Sequence, residues 1–125
     1  MSGLKKIKKE KESVGQVFTK GLLPIYVLYI LSLGPTNGNE IATSISKHTN
    51  GLWYPNTGGI YPLLNKFKKE GLITREWDNP KTKFQKIYTL TEKGNYEFNI
   101  RKNLFKSKIQ ESLNVFKIIY FDLYN

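Results

Sequence analysis

The chain has no cysteine. This excludes a disulfide scaffold, a thiolate metal site and a cysteine nucleophile, and it fits the reducing cytoplasm. Histidine is nearly absent too: His48 stands alone. No carboxylate cluster is spaced to help it, so neither a metal site nor another cofactor is expected. No apolar run reaches the roughly 18 residues of a membrane span. The longest candidate, residues 22–33, has the length of a buried helix, and no membrane association is expected. The N-terminal MSGLKKIKKEKE is too polar for a signal peptide. Catalytic signatures are missing as well. There is no G-x-S-x-G, P-loop or dinucleotide fingerprint, and Asp78 and Asp122 stand isolated, so no enzyme is expected. Acid itself is scarce: 10 acidic side chains face 20 basic ones.

That imbalance leaves a net charge of +10 on 125 residues. Self-repulsion of this size costs stability unless a polyanion offsets it, and nucleic acid ranks ahead of an anionic membrane. The length fits one domain, and 39% apolar residues suffice for a core. Residues 1–16 read as a basic arm. Five lysines (Lys5, Lys6, Lys8, Lys9 and Lys11) oppose Glu10 and Glu12, in the manner of a tail that lies along phosphates or in solvent.

Residues 17–91 carry the pattern of a folded body. In residues 18–33 apolar side chains cover most of a helical circumference, which implies burial on more than one side. Pro24 places the regular start near residue 21, and Gly34-Pro35 ends the helix. A second helix is expected over residues 39–49, capped by Asn39, with Glu40 at its positive end and Asn50-Gly51 as its stop. A third is expected over residues 58–70, with Thr57 as N-cap and Gly71 as stop. There Ile60, Leu63, Leu64 and Phe67 follow the i, i+3, i+4, i+7 spacing and face inward. The period then changes from 3.6 to 2. Residues 72–77 and 84–90 read as two strands of a hairpin whose tip carries lysines. Thr91 caps a last helix over residues 92–125. Its apolar residues recur in steps of three and four, as in a helix-packing seam. At 1.5 Å per residue it extends roughly 45 Å, beyond anything one small body can cover. The uncovered half implies a second copy.

The order of elements predicts an α+β, mainly helical fold: a winged helix-turn-helix with a two-stranded wing and a long C-terminal dimerisation helix. The expected partner is double-stranded DNA. Gly58 and Gly59 let backbone N–H groups approach a phosphate. Tyr61 offers a hydroxyl and a ring, and Asn65 matches an adenine edge. Lys66, Lys68 and Lys69 on the helix, with Lys81, Lys83 and Lys86 on the hairpin, neutralise phosphates. The competing readings are a half-buried Tyr61 and a merely solvated lysine face. The residues expected at a dimer seam are Leu22, Tyr26 and Tyr29 of the first helix and Phe105, Ile109, Leu113, Phe116, Tyr120 and Leu123 of the last.

Several motifs in this region, in order, resemble the PadR family of transcription regulators. They are E-I in the second helix, G-L-W-x-P in the loop, G-x-I-Y-P-L-L in the third helix, E-G-L-I entering the wing and Y-x-L-T-E-K-G leaving it. The resemblance covers about residues 18–96. It implies a cytoplasmic homodimer joined through its first and last helices, repression of a nearby promoter, and relief by a small aromatic molecule at the dimer interface. Thr57, Gly59, Tyr61 and Pro62 fall on the family's recognition-helix motif, and Lys83 and Lys86 on basic wing positions. Asn39 departs from it, standing where an aromatic is common, and a single C-terminal helix is the mark of the smaller members.

His48 is expected at a helix end, favouring the C-terminal dipole. Trp53 is expected to plug the loop against the core, and Trp77 to serve packing on the hairpin. Two rivals to an operator-specific repressor are an architectural binder that reads charge alone and a protein-interaction module that has lost DNA reading.

Overall fold

The computed structural model describes residues 21–125. The expected basic arm, residues 1–16, lies outside the described residues, as does the start of the expected first helix. Helix α1 is described over residues 21–32. It closes where expected: the Gly34 N–H donates to the Leu31 carbonyl at 3.2 Å, Gly34 has φ 149, and Pro35 follows. Leu23, Val27, Leu28, Ile30 and Leu31 are buried, while Ile25, Tyr26 and Tyr29 lie half-buried around them. The apolar circumference is therefore used on more than one side.

Helix α2 runs Gly38–His48. Its cap is Asn37 rather than Asn39. The Asn37 carboxamide oxygen accepts from the Glu40 N–H at 2.9 Å, and its amide donates to the Gln85 side chain at 3.1 Å. Asn39 has no comparable long-range anchor. It falls inside the first turn, where its carbonyl accepts from the Thr43 hydroxyl. The helix stops at Asn50 (φ 53) and Gly51 (φ 76), with the Gly51 N–H on the Ser46 carbonyl. In the loop that follows, the Thr49 hydroxyl bonds the Trp53 backbone from both sides. Trp53 is half-buried against the core, as expected.

Helix α3 runs Thr57–Lys69, and its cap is Asn56, not Thr57. The Asn56 carboxamide accepts from the Gly58 N–H at 2.8 Å. Asn56 has the extended backbone of a cap, φ -69 and ψ 134, so Thr57 becomes the first helical residue. Ile60, Leu64 and Phe67 are fully buried and Leu63 half-buried, the expected inward face.

Strands β1 (Ile73–Trp77) and β2 (Lys86–Leu90) pair antiparallel, with register from Ile73 opposite Leu90 to Trp77 opposite Lys86. Both are shorter than expected. Leu72 belongs to the Gly71 turn, its N–H donating to the Phe67 carbonyl. Residues 78–85 form the tip, pinned by the Asp78 carboxylate, which accepts from the Asn79 and Gln85 N–H groups. Phe84 thus lies in the tip rather than in a strand. Thr36 adds a bridge to Tyr88 through two backbone hydrogen bonds of 3.1 and 2.8 Å. The wing is therefore attached to the α1–α2 connection.

Helix α4 runs Glu92–Tyr124, 33 residues and about 50 Å. Thr91 caps it as expected, accepting from the Gly94 N–H at 3.0 Å while its hydroxyl donates to the Gly71 carbonyl. Gly94 and Phe98 are its buried residues, and from residue 106 onward every position is exposed. The core thus gathers α1, α2, α3, the wing root and the first turns of α4. No helix of the described residues is long and apolar enough to cross a membrane.

Candidate nucleic-acid interface

The outward face of α3 carries Gly58, Gly59, Tyr61, Asn65, Lys66 and Lys68, all exposed, with Thr57 half-buried at its start. No carboxylate occupies the first turn, so the positive end of the dipole faces outward unneutralised. Lys66, Lys68 and Lys69 lie in the last turn, where cations also stabilise the helix itself. Tyr61 leans on the start of α2: a Cβ placed on Gly38 would stand 2.7 Å from its ring. Glycine at position 38 is what lets that ring lie down. The two readings of Tyr61 therefore both apply, since it is half packed and half presented.

Asn65, Lys68 and Lys69 share a shallow groove of about 290 Å³ with Arg75 of β1. Arg75 completes a basic cluster that lysine counting overlooks. Strand alternation around it, with Ile73 buried and Thr74 exposed, was the available signal. On the wing, Lys81 and Lys83 are exposed in the tip. Lys83 holds a left-handed φ of 50. Lys86 sits lower, with its ammonium 4.9 Å above the Trp77 ring. Trp77 thus packs within the hairpin, against a lysine rather than the core. It is partly exposed and serves as the platform for that lysine.

Among the described residues the salt bridges are those of Arg101 to Glu70 at 3.6 Å and to Glu97 at 3.1 Å. The lysines of α3 and the wing take no part in them. Their charge stays available to an anion.

The residues expected at a dimer seam divide in two. Leu22 of α1 meets Phe105, Ile109, Leu113 and Phe116 of α4 around an apolar groove of about 340 Å³. Tyr120 and Leu123 stand exposed farther along α4. Tyr26 and Tyr29 instead join an aromatic cluster with Trp53, His48 and Phe98, at ring separations of 5.4 to 6.3 Å. Burial, assisted by the neighbouring Tyr29, raises the Tyr26 phenol above its ordinary value, so it stays protonated. His48 lies in the last turn of α2, as expected.

Known proteins share this arrangement. The profile of the "Transcriptional regulator PadR-like family" matches residues 27–100. The transcriptional regulator YqjI of Escherichia coli is 37% identical over 78 residues, which are 62% of this chain and 36% of that protein. The chain thus spans about a third of that curated relative's length. A PadR-like transcriptional regulator from Bacillus cereus superposes with a TM-score of 0.64 at 30% identity, covering 79% of this chain and 95% of the other. Bacillus subtilis PadR, solved in complex with operator DNA, superposes with a TM-score of 0.55 at 32% identity, covering 62% of this chain and 45% of that one. The profile match extends from within α1 to the early turns of α4, and the chain therefore belongs to the PadR-like family of transcriptional regulators.

Proposed function

We propose that the chain is a sequence-specific binder of double-stranded DNA, acting as a homodimer on an inverted-repeat operator and repressing transcription there. The observation that carries this reading is the pairing of two cationic surfaces. The face of α3, with its dipole end open, adjoins a wing whose lysines enter no salt bridge. In this reading Thr57, Gly58, Gly59, Tyr61 and Asn65 approach the major groove. Lys66, Lys68, Lys81, Lys83, Lys86 and Arg75 neutralise phosphates. Twofold pairing through α1 and α4 sets two recognition helices about one helical turn apart. Exposed Ile109, Leu113, Tyr120 and Leu123 support that pairing. The groove between Leu22 and Phe105 is apolar and of a size to admit a small planar aromatic, which relieves repression by altering the seam. The site of action is the cytoplasm, where the DNA is.

The test is selection of bound fragments from the host genome, followed by competition against shuffled sequence at about 0.2 M salt, where nonspecific contacts fade. Preference for the selected fragment supports the reading. Equal binding of both favours an architectural binder instead.

A further inference from the structure

We propose that Phe84, Trp77 and Tyr61 form an apolar clamp on one strand of the DNA duplex, packing on deoxyribose faces between the phosphates that the surrounding lysines neutralise. The proposal rests on the DNA-binding reading above and names a contact chemistry that reading lacks. Single exposed apolar side chains are ordinary on any surface. Three aromatic rings from three elements around one groove are not. Phe84 is 83% exposed, Trp77 41% and Tyr61 40%. They come from the wing tip, β1 and α3, and all three line a groove of about 310 Å³ with Asn39, Gln85 and Lys86.

The groove is held open by the fold. The amide of Asn37, the α2 cap, donates to Gln85 at 3.1 Å and ties the base of the wing to the helix pair. The backbones of Asp78 and Gln85 bond at 2.8 Å and close the tip. Lys83 adopts its left-handed conformation in the residue just before Phe84. A β-carbon disfavours that conformation, so the tip holds strain while it presents Phe84 away from the core. The Lys86 ammonium lies 4.9 Å over the Trp77 ring, which sets one cation against the aromatic wall.

Charge selects the occupant. No carboxylate lines the groove, Lys86 does, and Lys81 and Lys83 are exposed in the same wing tip. Its complement is a polyanion whose charges alternate with flat apolar groups. A nucleic-acid strand has that repeat, with sugars and bases between phosphates.

The experiment titrates the full chain with a duplex carrying the selected site, over a range of salt concentrations. Phe84→Ala is expected to bind about tenfold more weakly. The slope of log affinity against log salt is expected to stay that of the native protein, because no charge is removed. Lys83→Ala is the contrast: it should lower that slope by about one. Phe84→Trp should restore affinity, and the melting temperature of Phe84→Ala should match the native one. Native affinity in Phe84→Ala overturns the clamp while leaving DNA binding intact. So does a loss of affinity that comes with a reduced salt slope. If the native chain binds no duplex at all, the clamp and the DNA-binding reading fall together.

Discussion

At Gly94 the first turn of α4 crosses the wing root so closely that a β-carbon would land on the Leu72 carbonyl oxygen, with the Leu90 methyl 2.7 Å away. Backbone cannot swing aside as a side chain can. Gly94→Ala should therefore destabilise the protein by about 1–3 kcal/mol, the usual cost of overpacking, read as a fall in denaturant midpoint at unchanged slope. Gly38 is the opposite case. What a β-carbon meets there is the far end of the Tyr61 ring, which can rotate out of the way. Gly38→Ala should keep close to native stability while displacing Tyr61. Calorimetry should show little change, and competition between selected and shuffled DNA should show reduced discrimination. Neither close approach could be read from the chain, because each joins residues far apart in sequence. The caps of α2 and α3 differ from expectation because rival cap residues crowd both helix starts. Thr36, Asn37 and Asn39 all have cap chemistry, as do Asn56 and Thr57. Asn37 is chosen by its tie to Gln85, 48 positions on. At α4 the rival Thr89 is held in β2 opposite Thr74, and Thr91 is the cap as expected.

On the proposed reading, the fastening of α3 to α4 helps aim the recognition helix. Its end is tied by the Lys93 ammonium to the Glu70 carbonyl at 2.9 Å, by the Thr91 hydroxyl to the Gly71 carbonyl, and by Arg101 to Glu70. Beneath these lies Phe67, fully buried, with the Arg101 guanidinium 5.7 Å from its ring. Magnitudes separate the two layers. Half-exposed ion pairs contribute up to about 1 kcal/mol, whereas emptying a buried phenylalanine site costs about 3–5 kcal/mol. Arg101→Gln should therefore lower stability by at most about 1 kcal/mol. Phe67→Ala should remove a large share of a total stability of about 5–15 kcal/mol, with both measured by chemical denaturation. The helices were legible because their apolar spacing is sustained, and α3 shows the expected inward face in full. The hairpin was legible in kind but not in extent. Alternation alone runs Phe84 into β2, whereas the Asp78 bonds to Gln85 place it in the tip. The sequence pattern puts Arg75 in a strand, and its place beside Lys68 depends on β1 packing against α3.

For the whole molecule, the distal half of α4 is the principal energetic problem. Ile109, Leu113, Val115, Ile118, Ile119 and Tyr120 are each more than a third exposed. They lie on both sides of the helix, and apolar exposure on this scale is uncommon in a monomer. The sequence pattern already implied a second copy, since an apolar seam continued past the length of the body. Leu113→Glu should cost the folded subunit little, because its side chain touches solvent there. It should nevertheless shift sedimentation at micromolar concentration from dimer to monomer and weaken DNA binding in parallel. On the proposed reading, symmetry doubles a helix-and-wing surface across successive turns of duplex. Hydroxyl-radical footprinting of the native protein on its best genomic fragment tests this most directly. The result expected is two protected patches related by a dyad, their centres about 10 base pairs apart. A single patch, or protection without symmetry, would contradict it.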